Sequence, residues 1–226
     1  MKIVLNNITK IYEIPGSQNQ REVLKNISLT VNPADSIAIV GPSGSGKSTL
    51  LNILGTLDRP SSGNVLFDDK ELYSMNENQL AHIRNNNIGF VFQVHHLLPQ
   101  LTLLENVLVP VIPQKDKMKR KLAKAKAMEL IEFVGLTDKI TQRPGQMSVG
   151  ECQRTAVVRA LINEPEILLA DEPTGSLDQE TAEQLGELLQ EINSKQNIAT
   201  VVVTHSEKLA KKMSRIYKLI NGELRE

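Results

Sequence analysis

The chain has 226 residues, enough to bury a sizeable core as one large domain or as a domain carrying a subdomain. Lys+Arg and Asp+Glu both number 26, so no global charge directs it to nucleic acid or to an acidic membrane surface. Hydrophobic residues at 40% and charged residues at 23% are those of a soluble globular protein, and a single cysteine, Cys152, excludes an internal disulfide and fits a reducing compartment.

The first residues, Met1–Asn7, lack the apolar core of a signal peptide, and no run reaches the roughly 18 apolar residues of a spanning helix. The chain therefore reads as cytoplasmic and soluble, which leaves a membrane partner open. Residues 2–12 and 23–31 predict strands, through Ile3 and Leu5 and through Val23, Leu24, Ile27, Leu29 and Val31. Between them Pro15–Arg21 is polar and turn-rich and predicts a hairpin loop. Tyr12 ends the first strand. An isolated tyrosine is more often structural, but near a nucleotide its flat ring could stack on an adenine.

Ile37–Val40 is an apolar run of the length and branching of a buried strand. The residues that follow, Gly41, Pro42, Ser43, Gly44, Ser45, Gly46, Lys47, Ser48 and Thr49, satisfy G-x-x-x-x-G-K-[ST]. Thr49–Leu54 then continues in helix formers with no breaker before Gly55. This strand–loop–helix context separates a phosphate loop from a chance match. The glycines let successive N–H groups turn inward, and the helix adds its positive N-terminal end. Lys47 reaches the β- and γ-phosphates, and the Ser48 hydroxyl is placed to ligate Mg²⁺.

A turn at Pro60–Gly63 leads to a short strand, Asn64–Phe67, and a second turn at Asp68-Asp69. Glu77–Arg84 predicts a short helix, and Ile88–Phe92 a buried strand ending at Gln93. From about 98 to 164 the pattern is helical: Leu101–Val111 is apolar, and Met118–Val134 sets Leu122, Ala125, Met128, Ile131 and Val134 on one face before a stop at Gly135. The basic run Lys117, Lys119, Arg120, Lys121, Lys124 and Lys126 has no interleaved aromatics and reads as a solvated face. Ile167–Ala170 returns to buried strand, followed by a helix at Gln179–Ser194, strand Ala199–Thr204, helix Ser206–Met213 and strand Arg215–Ile220, which turns at Asn221-Gly222. Strands alternating with helices imply parallel crossovers.

Ile167–Ala170 closes on two carboxylates, Asp171 and Glu172. A buried strand delivers them at its C-terminal end, where ligands of open α/β sheets bind. Asp171 suits Mg²⁺, and Glu172 is placed to orient or deprotonate the water that attacks a γ-phosphate. His205 follows the strand Ala199–Thr204 and Gln93 the strand Ile88–Phe92, so four strands deliver polar groups to one rim. Cys152, His82, His95 and His96 show no metal-ligand grouping.

The phosphate loop, Gln93, Met147–Glu151, Asp171-Glu172, Ser176–Asp178 and His205 occur in the order and approximate spacing of an ABC-type ATPase domain, which the chain resembles from Tyr12 to its C-terminal strand. The resemblance implies that Tyr12 stacks on adenine, that Gln93 touches Mg²⁺ and water and links the ATPase core to a helical subdomain, and that His205 contacts the γ-phosphate. It implies further that Ser148 and Gly150 contact ATP held by the other protomer, and that Asp178 lies in a dimer-contacting loop. Gly41–Asn52, Leu57–Gly63, Ile88–Gln93 and Leu97–Asn106 resemble the subgroup serving lipoprotein release and macrolide or peptide efflux, with the cell-division ATPase as the alternative. The family signature usually reads Leu-Ser-Gly-Gly-Gln; here Val149 puts a β-branched side chain where glycine permits close approach.

The fold expected is therefore a P-loop NTPase of ABC type: a mixed-sheet α/β core at about 1–94 and 165–226, an antiparallel N-terminal β portion, and a helical subdomain at about 95–164. The function expected is ATP hydrolysis driving transport, with Lys47, Glu172 and His205 catalytic and Ser48, Gln93 and Asp171 on Mg²⁺. The partners expected are a second protomer and a membrane permease, with no nucleic acid, at the cytoplasmic face of the inner or cell membrane. A permease helix is expected in a groove along Leu97–Val109, which is apolar beyond the needs of a small helix. A soluble ABC-type protein acting on DNA or ribosomes would carry coiled-coil insertions or a second cassette, and a P-loop kinase would leave Ser148–Glu151, Ser176–Asp178 and His205 unexplained. A non-hydrolysing module with a trans site weakened by Val149 is the remaining competitor.

Overall fold

The computed structural model describes residues 1–13 and 20–226. In chain order the elements are β1 (Ile3–Glu13), β2 (Gln20–Val31), β3 (Ser36–Val40), α1 (Lys47–Leu54), β4 (Ser62–Phe67), β5 (Lys70–Glu71), α2 (Glu77–Asn87), β6 (Ile88–Phe92) and α3 (Leu103–Leu108). There follow α4 (Lys117–Phe133), α5 (Val149–Leu161), β7 (Ile167–Asp171), α6 (Gln179–Gln196), β8 (Ala199–Thr204), α7 (Glu207–Ala210), β9 (Arg215–Ile220) and β10 (Glu223–Arg225).

Two sheets result. The first, in the order β2-β1-β4-β5, is antiparallel, and alternation along β1 and β2 turns Ile3, Leu5, Ile8, Leu24, Ile27 and Leu29 inward. The second runs β10-β9-β3-β8-β7-β6, parallel throughout except for β10. Its central strands β3, β7 and β8 are covered on both faces and so read as unbroken apolar runs. Helix α1 lies between the sheets, where Leu50, Leu51, Ile53 and Leu54 complete one core. On the other face Leu103 and Val107 of α3, Leu130 and Ile131 of α4, Val157 and Leu161 of α5 and Leu189 and Ile192 of α6 form a second.

The mixed sheet and the N-terminal antiparallel sheet agree with the sequence expectation. Asn221 and Gly222 both have positive φ, 52° and 83°, and turn β9 into β10, a strand too short to be anticipated. Helix α7 is shorter than the expected 206–213, while α2 and α6 run past 84 and 194. The hairpin loop expected at Pro15–Arg21 lies mostly outside the described residues. Much of the apolar segment at 97–111 is spent inside the protein: Leu103, Val107 and Val111 belong to the second core, and Leu97 is 7% exposed against Cys152, Ala156 and Met147.

Candidate active site

Strand β3 ends at Val40 and the chain enters the loop Gly41–Gly46 before α1. Gly46 has φ 102°, a conformation open to glycine and closed to β-branched residues, and it leaves the start of α1 without a side-chain cap. The first N–H groups of α1 are thus free for an anion, and α1 supplies its positive end there. The Ser45 hydroxyl is buried with no hydrogen-bond partner among the described residues. Lys47, 8% exposed, folds back over the loop: its Nζ donates to the Gly41 and Pro42 carbonyls at 2.9 and 3.1 Å and lies 3.8 Å from Glu172 Oε1. An orphaned hydroxyl, uncapped N–H groups and a buried ammonium within one loop and the helix start it feeds fit a polyphosphate.

Strand order brings the remaining polar groups alongside. β8 pairs β3, β7 pairs β8 and β6 pairs β7, all parallel, so their C-terminal ends lie on one rim. Asp171 closes β7, and its Oδ1 accepts from the Ser48 hydroxyl at 3.1 Å. Burial and then the adjacent Glu172 charge push the Asp171 carboxyl up, against the lowering hydrogen bond from Ser48. Glu172 has φ 45°, sparsely populated for a residue with a Cβ, and its N–H donates to the Val203 carbonyl at 2.9 Å. Its Oε2 accepts from the His205 N–H at 3.1 Å and lies 2.8 Å from His205 Nδ1. Gln93 follows β6 at the rim, its carbonyl accepting from the Ser176 hydroxyl at 3.3 Å. The Ser48 hydroxyl and the Asp171 carboxylate are oxygens of the kind a hard divalent cation takes, while the Gln93 side chain lies beside Gly175.

Tyr12 lies at the far end of the same surface. It lines a cavity of about 410 Å³ with Arg21, Val23, Gly44, Gly46, Lys47, Ser48 and Thr49. Its ring, 39% exposed, gives that cavity an aromatic wall beside the phosphate loop.

Ser148, Gly150 and Asp178 form a second cluster that does not line this cavity. Ser148 caps α5: its Oγ accepts from the Glu151 N–H at 3.2 Å, and Glu151 Oε2 accepts from the Ser148 N–H at 2.7 Å. That reciprocal pair holds the Glu151 carboxyl below the usual range, chiefly through the Ser148 N–H. Val149 is the first helical residue and stands 52% exposed, so it leaves the cap undisturbed. Asp178 caps α6 through Thr181, accepting from its N–H at 3.0 Å and its hydroxyl at 2.6 Å, and these bonds hold its carboxyl low. Gly150 packs directly against that same Thr181.

Several contacts have no counterpart in the motif reading. Gln153 of α5, fully buried, donates through Nε2 to the Phe92 carbonyl at 2.7 Å, tying the signature helix to the residue before Gln93. Arg159 of the same helix donates to the His95 and His96 carbonyls at 2.7 Å each and so pins the turn after Gln93. Lys10 and Asp58 enclose Tyr12, and only the segment around Asp58 carried any signal, as part of Leu57–Gly63.

Comparison with known proteins places this geometry among relatives. A family model described as ABC transporter matches residues 24–175. The chain is 46% identical over 222 residues to the lipoprotein-releasing system ATP-binding protein LolD of Myxococcus xanthus, covering 98% of this chain and 97% of that protein. It is 48% identical over 219 residues to LolD of Geobacter metallireducens, covering 96% and 95%. Among solved structures it resembles the dimeric ABC transporter cassette MJ0796, with a TM-score of 0.89 and 39% identity over 99% of this chain and 97% of that one. The post-hydrolysis state of that cassette, bound to ADP and Pi, matches with a TM-score of 0.87 and 38% identity over 99% and 97%.

Proposed function

Since the chain belongs to the ABC transporter family, we propose that it powers a transporter of the lipoprotein-releasing type, as a dimer with two ATP molecules held between the phosphate loop of one copy and the signature of the other. The observation that carries this reading is the rim made by four adjacent parallel strands, where Lys47, Glu172 and His205 meet beside Ser48 and Asp171 and where Gln93 ends the fourth strand. Relatives at 46–48% identity over nearly the whole chain that are named for lipoprotein release support this reading.

The phosphates lie along Gly41–Gly46 and the uncapped start of α1, and the Lys47 ammonium turns from its carbonyl partners to the charge that grows as the γ-phosphoryl group transfers. The Glu172 carboxylate orients the attacking water and accepts its proton, steadied by the His205 N–H on the same oxygen. Ser48, Gln93 and Asp171 would hold Mg²⁺, which would supply positive charge to the triphosphate. Tyr12 stacks on the adenine. Ser148, Gly150 and Asp178 act on the ATP of the opposite copy: the Ser148 hydroxyl accepts within its own cap, so its hydrogen remains to donate to the γ-phosphate.

In this reading 1–94 and 165–226 hold the nucleotide and 95–164 meets the permease. In the turn directly after Gln93 Val94 is 60% exposed and Leu98 40%, and these replace buried Leu97 as the contacts for a short permease helix. The chain sits at the cytoplasmic face of the membrane as a peripheral subunit; among the described residues no helix is long and apolar enough to cross one. Calorimetry tests the nucleotide site: Lys47→Ala should lose most of the affinity for Mg·ATP, and an unchanged affinity would overturn the reading.

A further inference from the structure

Lys10 and Asp58 are 48 residues apart in sequence and meet beneath Tyr12. Lys10 is an ionised side chain on β1 with only 11% exposure, and Asp58 has 27%. Burying a lysine is costly unless it is paired and hydrogen-bonded, and this one is fully engaged. Its Nζ donates to Asp58 Oδ1 at 2.6 Å and to the Arg59 carbonyl at 2.7 Å, and stands 4.7 Å over the centre of the Tyr12 ring. The second carboxylate oxygen of Asp58 accepts from the Tyr12 phenol at 2.6 Å, while the Arg59 N–H donates to the first at 2.7 Å. Burial and then Asp58 push the Tyr12 phenol up, so it remains a donor.

The set of contacts has one geometric result: the aromatic ring is fixed at its hydroxyl and at one face. We propose that Lys10 and Asp58 are positioning residues for the nucleotide base, holding the Tyr12 ring at a set distance from the phosphate loop with its free face toward the adenine. Lys10 closes one face by cation–π attraction, and Asp58 fixes the rotation of the ring through a charge-assisted hydrogen bond. An aromatic platform that is already ordered loses less freedom when the base stacks. This inference rests on the reading of Tyr12 as the adenine-stacking residue.

Inorganic tripolyphosphate, which has the phosphates and no base, separates positioning from folding. Affinities of Mg·ATP and of tripolyphosphate are measured by calorimetry for the whole chain and for Tyr12→Ala, Tyr12→Phe, Asp58→Ala, Lys10→Met and the double variant Tyr12→Phe/Asp58→Ala. Tyr12→Phe keeps the ring and removes only the anchor, so it tests the inference even where Asp58→Ala fails to fold. The expected result is that Tyr12→Phe, Asp58→Ala and Lys10→Met each weaken Mg·ATP about tenfold, that the double variant is no worse than the singles, and that tripolyphosphate binds all of them as it binds the parent chain. Should Tyr12→Ala bind Mg·ATP as the parent does, the stacking role of Tyr12 falls. A selective loss in Tyr12→Ala with parent-like Tyr12→Phe and Asp58→Ala would overturn the positioning role alone. Equal weakening of both ligands in Tyr12→Phe would show a fold staple and overturn it as well.

Discussion

Gly150→Ala is the substitution whose effect the structure specifies most closely. A Cβ on Gly150 would stand 2.4 Å from Thr181 Cγ2, with Thr181 Cβ and Oγ1 both at 3.7 Å. Real carbon contacts do not close to that distance, so Thr181 must move. It cannot rotate freely, because its hydroxyl and N–H both serve the Asp178 cap of α6 at 2.6 and 3.0 Å. Either α5 shifts away from α6 or the cap opens. Overpacking of this kind costs about 1–3 kcal/mol, and about 2 kcal/mol lowers the melting temperature of a chain of this size by roughly 4–8 °C. Thermal unfolding without nucleotide isolates the packing effect from any role of Gly150 in a closed dimer. Thr181→Ser supplies the control: it keeps the hydroxyl for Asp178 and removes the clashing methyl, leaving the next contacts at 3.7 Å. Gly150→Ala/Thr181→Ser should recover most of the lost stability. An unchanged melting temperature in Gly150→Ala, or no recovery in the double variant, would refute the packing argument.

Val149→Gly removes a side chain that is 52% exposed at the start of α5 and should raise steady-state hydrolysis with little change in ATP affinity; equal rates would show that the trans site accommodates valine. Leu97→Asp puts a charge into the cluster with Cys152 and Ala156 and should destabilise the fold by several kcal/mol. Val94→Asp/Leu98→Asp should instead fold normally, bind ATP and fail to co-purify with the permease, and retained association would move the docking site. Burial works to raise Asp58, but hydrogen bonds from Lys10, Tyr12 and the Arg59 N–H outweigh it and hold the carboxyl below its ordinary value. A depressed carboxylate contributes stability above its unfolded value and loses it as pH falls through the folded one. The stability gap between the parent chain and Asp58→Ala should therefore be full at neutral pH and shrink below the ordinary carboxylate range, and urea titrations across pH would detect a constant gap if this is wrong.

What was legible in the sequence was local. The phosphate loop could be read because its strand, its glycines and its helix are contiguous, and β3, β7 and β8 because strands buried on both faces leave unbroken apolar runs. Asn221-Gly222 announced its own turn. What was missed depends on contacts across the chain. Leu97–Val109 looked like surplus apolar surface because nothing local shows that α4 and α5 pack over Leu103 and Val107. Lys10 and Asp58, Gly150 and Thr181, and Gln153 and the Phe92 carbonyl each join segments that one sequence leaves unrelated. Ser148 and Glu151 form a capping box at the start of α5, so the same residues carry both the family signature and the helix start.

The central claim is that Glu172 activates water for ATP hydrolysis between two copies of this chain, and Glu172→Gln tests it most directly. The amide keeps the shape of the side chain and one oxygen, but it cannot accept the proton of the attacking water. Hydrolysis and oligomeric state are measured on the same preparation at saturating Mg·ATP. The account predicts that the variant binds ATP, elutes as a dimer in its presence and releases almost no phosphate. Phosphate release at the parent rate, from a variant that binds ATP normally, would contradict it.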